Sequence, residues 1–152
     1  MNVSEVMTEA SVTNSPTDTL RSAAGTMWRQ QTGSLLVIED GELVGIVTER
    51  DVLKAVARGV DPETTPVADV MTKAVQTVST DTSLHEAARM MAAQWIRHLP
   101  IQQDGKIVGV LSQRDLVGIF AALDPEPNGV PLASDELVRV RRLVRIEHGD
   151  LD

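Results

Sequence analysis

Gly45-Ile46-Val47-Thr48-Glu49-Arg50-Asp51-Val52 and Gly109-Val110-Leu111-Ser112-Gln113-Arg114-Asp115-Leu116 are one pattern written twice, at an offset of 64 residues. In each, a glycine opens an apolar run, a hydroxyl residue follows it, and an aspartate stands three places after the hydroxyl. This is the pattern of a strand that ends in a helix: the hydroxyl is placed to cap the helix and the acid falls in its first turn.

The offset holds over residues 3–59, where about a third of the positions are identical in the second copy without a gap. Val6-Met7-Thr8 matches Val70-Met71-Thr72, Leu20 matches Leu84, Ala23-Ala24 match Ala87-Ala88, Met27 matches Met91, and Asp40-Gly41 match Asp104-Gly105. The chain is an internal duplication, and its architecture follows from the repeated unit.

Each copy predicts the same order of elements. A short extended segment (11–13; 75–78) leads through a polar, helix-capping stretch (15–18; 79–82) into an amphipathic helix. Its apolar positions, Leu20, Ala23, Ala24 and Met27 or Leu84, Ala87, Ala88 and Met91, share one face. Gly33 is expected to end the first helix. Two strands follow (35–38 and 43–47; 99–102 and 107–111), joined by an acidic-Gly turn suited to a hairpin. A closing helix is expected over 49–58 and 113–123. The fold class is therefore α+β, with repeat 1 over 1–60, a linker over 61–66, repeat 2 over 67–124 and a tail over 125–152. Ser134 is placed to cap a last helix over about 134–147. A repeat of about 60 residues buries only a marginal core alone, so the two copies are expected to pack together about a pseudo-twofold axis.

Composition narrows the function. Apolar residues make up 42% of the chain and charged residues 24%, as in ordinary globular domains. Aromatic residues are only 2%, so a planar ligand would be gripped by aliphatic side chains and backbone. Cysteine is absent, which removes disulfides, thiol catalysis and thiolate metal sites. The three histidines are scattered, so no metal site is expected. A net charge of −8 argues against nucleic acid as a partner, because such binding usually rests on neutralising phosphates. No window has the 18 uninterrupted apolar residues of a membrane span, and the first residues do not read as a secretory signal, so the expectation is a cytoplasmic chain. Motifs of metalloproteases, serine hydrolases, P-loop enzymes and dinucleotide enzymes do not occur, so no enzyme is expected.

The paired Gly-apolar-apolar-(Thr/Ser)-x-x-Asp stretches, the Val-Met-Thr lead-in to each copy and Leu99-Pro100 resemble the tandem CBS-domain pair, or Bateman module, of stand-alone bacterial proteins. The resemblance covers most of the chain and implies a regulatory module that binds adenosine-containing nucleotides (AMP, ADP or ATP, with S-adenosylmethionine or NAD as rivals) between its repeats. It further implies a homodimer and a separate effector protein. The residues fit such a ligand: a helix N-terminus and a hydroxyl suit a phosphate, a carboxylate can accept both hydroxyls of a ribose, and Arg50 and Arg114 add charge. The same residues also read as plain helix caps.

By position, the resemblance implies one cleft with Thr48, Arg50 and Asp51 beside Thr72, Thr77, Arg97 and His98. It implies another with Ser112, Arg114 and Asp115 beside Thr8, Thr13 and Ser34. The first has more cationic character, since Gly33 and Ser34 stand where the second copy has Arg97 and His98. His98 also reads as a solvated residue at a strand start. A second functional reading rests on 136–146, where four arginines mix with six aliphatic residues: a basic docking helix for a protein, less readily an RNA, on a scaffold without ligand.

Overall fold

A computed structural model describes residues 1–9 and 12–123; the tail and the helix expected over 134–147 lie outside the described residues. Residues Met1–Gly118 form one compact unit, and Ile119 begins a second, of which only the end of the last helix is described.

The first repeat supplies β1 (Thr8–Glu9), β2 (Thr13–Asn14), α1 (Leu20–Gln30), β3 (Ser34–Glu39), β4 (Glu42–Thr48) and α2 (Glu49–Ala57). The second supplies β5 (Val78–Ser79), α3 (Leu84–Gln94), β6 (His98–Gln103), β7 (Lys106–Ser112) and α4 (Gln113–Leu123). The hairpins β3–β4 and β6–β7 are antiparallel, and the short strands β2 and β5 run parallel to β3 and β6. Both hairpin turns need positive φ at two successive residues: Asp40 and Gly41 have φ of 50° and 79°, Asp104 and Gly105 of 50° and 77°. Asp-Gly satisfies that requirement because Asp tolerates the left-handed region and Gly is unrestricted there.

Helix α1 buries Leu20, Ala23 and Met27, and α3 buries Leu84, Ala87 and Met91, each on the face that the spacing predicts. The caps differ from the sequence reading. Thr19 and Ser83 cap the helices, accepting from the Ser22 and Glu86 backbone N–H groups at 3.1 Å. The polar stretches before them form turns instead. Gly33 does not end α1: the left-handed position is Gln31 (φ 54°), and its counterpart in the second repeat is Trp95 (φ 58°). Gly33 serves a different need, described below.

The lead-in segments cross over. Val67 is fully buried in the first repeat's core with Leu20, Ala23, Met27, Leu35, Val37, Val47 and Ala55, and Val70 and Met71 pack against the same cluster. Its N–H donates to the Asp18 carbonyl at 2.7 Å, just as the Val3 N–H donates to the Thr82 carbonyl at 2.9 Å. β1 pairs with β7 of the second repeat, and Thr72 bridges to Ile46 in β4 of the first. The segment that opens each repeat in sequence thus packs on the other repeat in space.

Candidate functional site

Both matched stretches fold as the capping pattern requires. The Thr48 N–H donates to Asp51 Oδ2 at 2.8 Å, the Thr48 hydroxyl to the same oxygen at 3.2 Å, and the Asp51 N–H to Thr48 Oγ1 at 3.4 Å. Ser112 and Asp115 repeat the arrangement at 2.8, 2.7 and 3.1 Å. The N–H groups of Glu49 and Gln113 are also engaged, donating to the carbonyls of Gly33 and Arg97 at 3.0 and 2.8 Å. Much of each helix N-terminus is therefore already satisfied from within the repeat. The capacity left to each aspartate is Oδ1, since every bond described for the carboxylates falls on Oδ2. Burial pushes the Asp51 carboxyl above the usual carboxylate range, against the Thr48 hydrogen bonds and the nearby Lys54 and Arg50.

The crossing lead-ins carry threonines to both motifs. Thr72 is hydrogen-bonded through its backbone to Ile46 (3.0 and 2.9 Å), two residues before Thr48 on β4. Thr8 stands opposite Val110, two residues before Ser112 on β7. Arg97 reaches from the start of β6 to the first turn of α2, where its Nη1 lies 3.2 Å from Glu49 Oε1. Arg50 is half-buried and Arg114 exposed beside their aspartates.

Ser34 and His98 occupy matching places, opposite Thr48 and Ser112 in their own hairpins. His98 also touches the other repeat: a Cβ at Gly33 would lie 3.2 Å from its Nε2 and 3.4 Å from the Glu49 carboxyl carbon. That close approach is what Gly33 allows. His98 therefore stands between the two motifs. Burial holds its imidazole below the usual histidine range; Arg97 and, more weakly, Arg50 add to this, while Glu49 and Asp115 oppose it.

Thr13 and Thr77, assigned by resemblance to different clefts, line a single cleft of about 530 Å³ at the hairpin-turn end of both repeats. Leu36, Ile38 and Leu43 face it from the first repeat, and Lys73, Val75, Gln102, Lys106 and Ile107 from the second. None of Thr48, Asp51, Ser112 or Asp115 lines it. Leu36 is two residues from Ser34 on β3, about 7 Å along the strand, so this cleft is within reach of a ligand anchored at a motif.

Sequence reasoning missed Glu49. Its signal was available, as the one charge difference inside the matched motifs, where the second copy has Gln113. Among the described residues no cluster of three or more metal-ligating side chains occurs, and no helix is long and apolar enough to cross a membrane.

Comparison with known proteins agrees with this architecture. The family model for the CBS domain matches residues 3–58 and again 67–122. The chain is 36% identical over 122 residues to the Methanopyrus kandleri protein MK0525, covering 78% of this chain and 62% of that one, so it spans less than two thirds of that relative. It superimposes on the crystal structure of the CBS domain protein NE2398 with a TM-score of 0.74 at 31% identity, covering 79% of this chain and 97% of that one. The CBS-domain pair of MJ0100, solved in complex with 5′-methylthioadenosine and S-adenosyl-L-methionine, shares the fold at a TM-score of 0.74 and 23% identity, over 80% of this chain and 97% of that one. With the family model matched twice, in register with the duplication and its two capped motifs, this chain belongs to the CBS-domain family and carries two CBS domains in tandem.

Proposed function

We propose that the chain is a regulatory module that binds an adenosine-containing nucleotide between its two repeats and passes the signal to a separate effector protein. The observation that carries this reading is the matched pair of aspartates, Asp51 and Asp115. Each is fixed through Oδ2 by its own cap, with Oδ1 left to accept the hydroxyls of a ribose. Arg50 and Arg114 lie next to them for a phosphate, and the cleft holding Thr13 and Thr77, where Leu36, Ile38, Leu43, Val75 and Ile107 are joined by polar and charged side chains, offers a place for a base. MJ0100, of the same fold, was crystallised with two adenosyl compounds, which sets the ligand class to test first.

A ligand shifts a conformational equilibrium only by binding one state better than the other. The crossed lead-ins tie each repeat to the other, so a ligand that favours one packing of the repeats acts on both. The working state is a homodimer. Leu53 and Val56 on α2, and the matching Val117 and Phe120 on α4, are large apolar side chains left 68%, 63%, 63% and 45% exposed. Spaced by three, each pair shares one helix face.

Calorimetry with AMP, ADP, ATP, S-adenosylmethionine and NAD tests the reading, repeated on Asp51→Asn and Asp115→Asn. Binding of at least one of these, weakened in one or both variants, is expected. A panel silent at millimolar ligand overturns the proposal.

A further inference from the structure

We propose that Glu49 acts as a charge filter on the Asp51 cleft, selecting adenosyl ligands of low negative charge over polyphosphates. The inference rests on the nucleotide reading above and concerns what kind of nucleotide that cleft accepts. Arg97 and Glu49 pair across the repeats at 3.2 Å, the arginine from the start of β6 and the glutamate from the first turn of α2. Glu49 follows the capping residue Thr48 and its carboxylate holds Arg97, so a phosphate bound by Thr48 and Arg97 lies close to that negative charge. A phosphate that bonds Arg97 shares the guanidinium with that carboxylate and meets its like charge at close range. Each further phosphate adds to the repulsion, whereas an uncharged adenosyl group meets none.

The Asp115 motif has no counterpart of the pair. Gln113 matches Glu49 and Gly33 matches Arg97, in motifs otherwise alike in charge. The filter is thus specific to one cleft, and the two clefts differ in the charge of ligand they admit. The cationic advantage that Arg97 lends the Asp51 cleft in sequence is cancelled in space by its partner.

Titration calorimetry with adenosine, AMP and ATP tests this in an Asp115→Asn background, which removes the carboxylate of the other motif. Glu49→Gln preserves the shape of a side chain that is 59% exposed, so folding is not at stake. It is expected to raise ATP affinity about tenfold, with AMP intermediate and adenosine moving less than about twofold. The gain should vanish in Glu49→Gln/Arg97→Gln, because the released cation is then missing. An equal shift for adenosine and ATP, or no shift for either, overturns the filter while leaving nucleotide binding intact. Absence of binding by all three ligands, and by ADP, S-adenosylmethionine and NAD, to the unmodified chain overturns the nucleotide reading, and the filter with it.

Discussion

Met71 rests on Gly45. A Cβ added to that glycine would lie 2.5 Å from the methionine Sδ and 2.9 Å from the Thr72 carbonyl oxygen. Met7 meets Gly109 with the same distances. The glycine that opens each motif therefore serves packing first: it lets the other repeat's lead-in lie flat on the strand that delivers the capping hydroxyl and the aspartate.

Gly45→Ala and Gly109→Ala should each destabilise the fold by about 1–3 kcal/mol through overpacking. Backbone as well as side chain stands in the way, so Met71→Ala should relieve only part of the Gly45→Ala defect. Denaturant unfolding of the two single variants and the double variant checks this, with a non-zero interaction energy expected. Simple additivity would mean that Met71 and Gly45 are not coupled.

The duplication exposes one flaw in the first repeat. Asn14 is 6% exposed, and its side-chain nitrogen has no hydrogen-bond partner among the described residues. The matching residue of the second repeat, Val78, is equally buried and apolar. Asn14→Val removes an unpaired buried donor and should stabilise the chain by about 1 kcal/mol. A lower unfolding midpoint in the variant would show that the amide has a partner after all.

Element order was legible because the same pattern occurs twice, so a weak local signal in one copy is checked by the other. The hairpins were legible because Asp-Gly has few other uses between β-branched runs. The crossing was not. Val3 and Val67 sit in short 3-10 turns, and nothing local tells Val67 whether to bury beside Leu20 or in the repeat it opens. The left-handed caps were hidden for the opposite reason: Gln31 and Trp95 pay a conformational cost that tertiary packing overrides, while Gly33, the residue that looked right, is needed beneath His98. At the site, the motif itself could be read, but the Arg97–Glu49 pair joins residues 48 positions apart.

Asp51 has two roles that substitution can separate. Asn at this position keeps an oxygen for the Thr48 N–H but removes a charge that burial disfavours. Because the Asp51 carboxyl titrates above its ordinary 3.8, its ionisation lowers stability as pH rises from that value through its folded pKa, and the loss persists at neutral pH. Asp51→Asn should therefore unfold no earlier than the unmodified chain at pH 7, whereas Asp51→Ala loses the cap and about 1 kcal/mol. Nucleotide binding at that cleft should weaken in both. A variant that keeps its stability and its binding would leave Asp51 only its capping role.

His98 sets a pH dependence of opposite sign. Its folded pKa lies below 6.5, so as pH falls through 6.5 the unfolded chain takes up a proton that the folded chain refuses. Stability should decline from about pH 7 downward and level off once the folded imidazole also charges, with a slope of at most about 1.4 kcal/mol per pH unit from this group. Subtracting the same titration of His98→Gln isolates it from His85 and the carboxylates. A difference curve flat between pH 7 and 5 would show that the imidazole is not held neutral by its surroundings.

The exposed faces of α2 and α4 give the last test. An apolar residue left 68% exposed costs a folded monomer little when it becomes polar, so Leu53→Glu together with Val117→Glu should leave the unfolding midpoint of a single chain nearly unchanged. Two carboxylates on faces that bury against a second copy would not be tolerated, because charge without a partner is costly to desolvate. Light scattering should then report twice the 16.5 kDa chain mass for the unmodified protein and the single-chain mass for the double variant. If the unmodified protein is already monomeric at micromolar concentration, these faces do not serve self-association. If the double variant remains dimeric, association uses another surface, and Leu53 and Val117 remain open to the effector.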